Sequence, residues 1–202
     1  TRRKRLRQFV APPLAMAAVK SNSHQNPGSS STPCHIRGDW LVKGPEPERK
    51  DPMMEPRLNP FAAAPSLVKQ YIDYSQSIIA SGLEPDLLHL VEIRASQING
   101  CANCLNMHTA EARKGGETDQ RLHVLAAWEE SPLFSDRERA ALAWTEHLTL
   151  LADKRAPDDV YAAVDAQFTK EEQIKLTMMI NVINGWNRLA VGFRVFDPSL
   201  GW

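Results

Sequence analysis

From Asn59 to Val195, apolar residues recur three and four apart between Gly, Pro and Asn interruptions, and no stretch alternates apolar and polar residue by residue. A chain patterned this way folds into helices and offers no strands for a sheet. Pro65 suits a first helical turn; Leu67, Val68, Tyr71, Ile72, Ile78 and Ile79 follow at helical spacing, and Ser81-Gly82 stops that helix. Pro85 opens a second helix with a wide apolar surface from Leu87 to Ile98, ended by Asn99-Gly100. A third runs from Cys101 to Lys114 and stops at Gly115-Gly116. Thr118 or Asp119 caps a fourth, to Glu129. Ser135 with Glu138 has capping-box spacing ahead of a fifth, to about Ala152. Pro157 begins a short helix through Phe168, and Thr169 with Glu172 repeats the capping-box spacing before a long helix to about Val195. The expectation is one all-α domain of six to seven helices over residues 54–202. A thioredoxin fold is disfavoured.

On the third helix, Cys101-Ala102-Asn103-Cys104 is followed by His108. Positions three, four and seven apart share one helical face, so two thiols and an imidazole stand together. A thiolate attacks a peroxide oxygen, and a thiol needs a helix N-terminus or a basic neighbour to ionise at neutral pH. Cys101 has the first aid and Cys104 the second, through His108. The sulfenic acid left on one sulfur can condense with the other to a disulfide, which an external thiol donor must then reduce. By the dipole argument Cys101 is the attacking sulfur. Zinc is the rival reading, with Cys101, Cys104 and His108 as ligands and His89 or His123 as the fourth.

The chain of 202 residues has 24 Lys and Arg, 24 Asp and Glu and three cysteines. Zero net charge gives no reason to expect nucleic acid, and no apolar run approaches the roughly 20 residues that cross a bilayer. So few cysteines make no disulfide framework, which favours a soluble, cytoplasmic protein. The even average conceals a split, because ten basic and four acidic residues precede position 54. Residues 1–53, with the run Arg2-Arg3-Lys4-Arg5-Leu6-Arg7 and the stretch Asn26 to Pro33, read as a disordered basic extension. A transit sequence, a basic binding tail and sequence upstream of the natural start all fit; Met53-Met54 at the change in composition favours the last. Cys34 reads as incidental.

The stretch Arg94 to Thr109, with Ala112-Arg113, Gly116-Glu117-Thr118, Ala140 to Glu146 and Asn184 to Leu189, resembles the alkylhydroperoxidase D (AhpD)-like branch of the carboxymuconolactone decarboxylase superfamily over roughly residues 57–195. The resemblance implies a helical domain assembling as homotrimers or homohexamers, with Cys104 as the peroxidatic thiol, Cys101 as the resolving thiol and His108 in a proton relay. It also implies a peroxide substrate, hydrogen peroxide or an organic hydroperoxide. No flavin or nicotinamide site is visible in the sequence. The family's relay glutamate lies twelve residues before the first cysteine, where this chain has His89. An imidazole can shuttle protons too, Glu92 is one turn away, and Glu146 is a second acidic candidate. Against these stand ordinary readings: a packing His89, an ion-paired Glu92, surface histidines at 123 and 147, and Trp128, Trp144 and Trp186 as core or subunit contacts. Asn181, Asn184, Asn187 and Arg188 read as satisfying backbone or interface groups. Other functions compatible with the pattern are muconolactone decarboxylation, for which a redox pair is superfluous, and a non-catalytic redox sensor or zinc-stabilised oligomer.

Overall fold

The structure, a computed structural model, describes residues 55–196; the expectations for residues 1–53, including Cys34, lie outside that range. The helices are α1 (Pro60–Ala63), α2 (Pro65–Ile79), α3 (Pro85–Asn99), α4 (Ala102–Gly115), α5 (Asp119–Val124), α6 (Asp136–Thr149), α7 (Leu151–Lys154), α8 (Asp158–Gln167) and α9 (Lys170–Phe193). A 3-10 turn, Leu125–Glu130, follows α5. No strand occurs among the described residues, and none of their helices is long and apolar enough to cross a membrane.

Most helix ends are those the sequence announces. Both capping boxes form: Ser135 and Thr169 accept from the amides of Glu138 and Glu172, whose carboxylates return to the cap amides. Gly100 ends α3 in the left-handed region at φ 65°, and the Cys101 amide reaches back to the Ser96 carbonyl at 3.0 Å. This turn sends the chain straight into α4.

Three details depart from expectation. Asn59 caps α1, a single turn too short to show periodicity; its side chain accepts from the amides of Phe61 and Ala62. The expected fourth helix changes to 3-10 geometry at Leu125, with Ala127 outside the helical region (φ −120°, ψ 34°), and the Arg139 guanidinium donates to the carbonyls of Trp128, Glu129 and Ser131 at 2.8–3.2 Å. The expected helix to Ala152 breaks at Leu150 (φ −100°, ψ 34°). There Thr149 takes a bond from Asn184, and Lys154 folds back onto Glu146.

α3 lies at the centre and packs against α4, α6 and α9. Leu87, Leu88, Val91 and Ala95 face one core with α9, while Leu90 and Ile93 face a second with Leu122, Leu125, Trp128, Phe134 and Leu142. α3 thus buries apolar side chains on two faces, as a central helix does. Two of its polar residues, Glu92 and Ser96, are buried with them.

Candidate active site

The α3–α4 turn is fixed from α9. The Asn99 side-chain amide donates to the Oδ1 atoms of Asn184 (3.0 Å) and Asn187 (2.9 Å), and Asn187 donates to Ser96 Oγ at 3.0 Å. Arg188 donates to the Asn184 carbonyl, so this set satisfies backbone and buried polar groups as expected. The start of α4 is thereby held in place. Cys101 is its N-cap, and the Cys101 sulfur accepts from the Cys104 amide at 3.3 Å. The two cysteines form a disulfide with Cα atoms 5.4 Å apart, and both are buried.

A cavity of about 980 Å³ opens beside α4, and of the two sulfur residues Cys104 lines it while Cys101 sits behind. Leu58, Phe61, Ile72, Met107, Ile183 and Trp186 contribute to an apolar wall. Trp186 packs against the core as expected, stacks on Phe61 and donates to Ser75 Oγ at 3.0 Å, and it also forms part of this wall. His89, Glu92, His108 and Glu111 form the polar side.

Here the structure joins most of the residues the sequence proposed. Glu92 is 5% exposed, and its Oε2 lies 3.3 Å from His89 Nδ1 and 3.2 Å from His108 Nδ1. Glu92 therefore bridges the two imidazoles and is more than a solvated ion-pair residue. His108 Nδ1 also meets Glu111 Oε2 at 3.0 Å. The hydrogen bond to Glu92 holds the His89 imidazole above its ordinary pKa, against burial, which lowers it. The bond from His108 likewise holds the Glu111 carboxyl below its ordinary range. Glu111 was not anticipated, although its position three residues after His108 on one helix was the available signal.

Glu146 is placed elsewhere. Its carboxylate accepts from Arg94 Nε and Trp128 Nε1, both at 2.8 Å, and from Lys154 Nζ at 3.0 Å, and it does not line the cavity. Burial raises its pKa, but the bonds from Trp128, Lys154 and Arg94 outweigh this and leave it below the ordinary carboxylate range. His123 and His147 do not line the cavity either; His147 pairs with the Arg155 carbonyl at 3.1 Å. The rival zinc reading takes Cys101 and Cys104 as ligands; in this structure the two sulfurs are bonded to each other. Among the described residues, the group with metal-ligand spacing is His89, His108 and Glu111.

This helical chain has known counterparts. The carboxymuconolactone decarboxylase family profile matches residues 65–147. The uncharacterised Bacillus subtilis (strain 168) protein YdfG is 41% identical over 138 residues, covering 68% of this chain and 94% of YdfG. A crystal structure of an Agrobacterium tumefaciens protein of unknown function, named as a candidate AhpD antioxidant defence protein, is also similar. It is 41% identical, covers 71% of this chain and 99% of that one, and superposes with a TM-score of 0.70. A peroxidase-related protein from Silicibacter sp. TM1040 shares the fold at 18% identity and TM-score 0.60, covering 67% of this chain and 72% of that one. The chain belongs to the carboxymuconolactone decarboxylase family, in its AhpD-like branch.

Proposed function

We propose that the chain is a thiol-dependent peroxidase cycling Cys101 and Cys104 between dithiol and disulfide. The observation that carries this reading is the placement of Cys104 on the cavity wall with His108, Glu92 and His89, and of Cys101 behind it within disulfide reach. This favours Cys104 over Cys101 as the attacking sulfur, although the amide held on the Cys101 sulfur would stabilise a thiolate there. A low-pKa thiolate is well suited to resolving a sulfenic acid.

The Cys104 thiolate, its proton taken by the imidazole relay, attacks one oxygen of the hydroperoxide. The O–O bond breaks, Cys104 becomes a sulfenic acid, and the departing alkoxide takes the relay proton to leave as alcohol. Cys101 thiolate then attacks the Cys104 sulfur, which expels hydroxide; protonation gives water and the disulfide remains. An external dithiol supplies two electrons by exchange and restores both thiols. In this scheme Glu92 orients His108 and His89 through the contacts at 3.2 and 3.3 Å.

Turnover of hydroperoxide with a dithiol reductant, measured in a metal-chelated buffer for the wild type and for Cys101→Ser and Cys104→Ser, tests the reading. Both variants lose turnover on this account. Unchanged turnover in both would overturn it.

A further inference from the structure

Two imidazoles and two carboxylates converge on one side of the cavity, where two ring nitrogens share three carboxylate contacts. His108 Nδ1 faces Glu111 Oε2 at 3.0 Å and Glu92 Oε2 at 3.2 Å, and a ring nitrogen carries at most one hydrogen. Glu92 Oε2 also faces His89 Nδ1 at 3.3 Å. Of the flanking basic residues, Arg94 is directed to Glu146 and Gln97 and Arg113 to Asp119, while Lys114 acts on Glu111 from the solvent side without a hydrogen bond to it. A buried carboxylate beside a second one calls for a positive charge between them.

His89, His108 and Glu111 each present one ligand atom, all within 4.8 Å of one another. With metal–nitrogen and metal–oxygen bonds of about 2.0–2.2 Å, the edge of a zinc tetrahedron is about 3.3–3.6 Å. The contacts of 3.0, 3.2 and 3.3 Å are close to that edge, and the half-exposed Glu111 carboxylate has room to adjust. Two imidazoles with carboxylates suit first-row transition ions rather than magnesium or calcium.

We infer that His89, His108 and Glu111, with Glu92 as the fourth donor, form a binding site for one divalent transition-metal ion of the zinc class. Each imidazole coordinates through an unprotonated ring nitrogen, its hydrogen residing on the other nitrogen. Two carboxylates balance the charge of the ion. The site uses none of the sulfur ligands that a zinc reading of the Cys101-to-Cys104 motif requires, and its existence does not depend on the peroxidase reading.

The test uses the disulfide form of the full chain, whose sulfurs are closed to metal. Zn2+ is titrated by calorimetry and Co2+ by visible absorption. The expected result is one ion per chain, with four-coordinate cobalt bands and no sulfur-to-cobalt charge-transfer band. Glu111→Gln and His89→Ala should each weaken binding at least about tenfold, with apo thermal melts confirming folded variants. Three results would overturn the site: no saturable binding to the disulfide form, unchanged affinity in both folded variants, or binding that requires reduced thiols.

Discussion

Replacing Glu146 by Ala tests whether this carboxylate is structural or takes part in the chemistry. In the wild type it accepts from Arg94 and Trp128 at 2.8 Å and from Lys154 at 3.0 Å, and it is 7% exposed. Lys154 is largely solvated, so its pair contributes about 0–1 kcal/mol. The Trp128 indole N–H is left inside without its partner and the Arg94 guanidinium keeps only Gln97, which raises the cost to about 3–4 kcal/mol, the lower range for breaking a buried ion pair. At about 2–4 °C per kcal/mol for a domain of this size, the melting temperature falls by about 6–16 °C. Urea unfolding and thermal melts of the disulfide form measure the loss. The reaction of the reduced variant with hydroperoxide, followed at a temperature where it remains folded, stays within about threefold of wild type, against the roughly 100-fold or greater loss expected of a proton-transfer group. A destabilisation below about 1 kcal/mol, or a folded variant slowed about 100-fold, would refute the structural assignment.

Two glycines separate steric from conformational cost. Gly185→Ala places a Cβ 2.0 Å from the Tyr71 hydroxyl, displacing a ring that donates to the Val182 carbonyl, and should destabilise by about 2–3 kcal/mol in urea unfolding. Gly100→Ala has open space but a φ of 65°, so the same assay should return about 1 kcal/mol. The Glu172 carboxyl is pulled from 4.5 down to about 2 by the Thr169 amide and then by Arg137. Because the folded pKa is depressed, its contribution is complete above pH 4.5 and is lost as pH falls toward about 2, and Glu172→Gln should flatten that part of the stability profile. The His89 pKa is raised chiefly by Glu92, so in chelated buffer Glu92→Gln should move the acid limb of the peroxide kcat/KM profile to lower pH. An unmoved limb would remove His89 from the relay.

The helix ends were legible wherever a local rule governs them, as in the boxes at Ser135 and Thr169 and the left-handed Gly100. They were not legible where a distant side chain decides. The 3-10 turn after Val124 accompanies bonds from Arg139, and the break at Leu150 accompanies contacts from Asn184 and Lys154. The site divides in the same way. Cys101, Cys104 and His108 share a face by spacing alone, and Glu92 follows His89 by three residues. Which sulfur meets the cavity depends on how α9 and residues 56–61 close over α4, and no local pattern encodes that packing. Glu146 sits in a family-like stretch, yet its partner Arg94 lies 52 residues away, so its burial and its ion pairing emerged only with the fold.

The central claim is that Cys104 is the sulfur that meets peroxide. Its most direct test is a single turnover of reduced Cys101→Ser with one equivalent of hydroperoxide in the presence of a sulfenic-acid trap, followed by mass spectrometry of the peptide spanning residues 101–114. The account predicts a trapped adduct on Cys104, and no adduct on Cys101 when Cys104→Ser is treated in the same way. An adduct on Cys101 in Cys104→Ser, with none on Cys104 in Cys101→Ser, would contradict it.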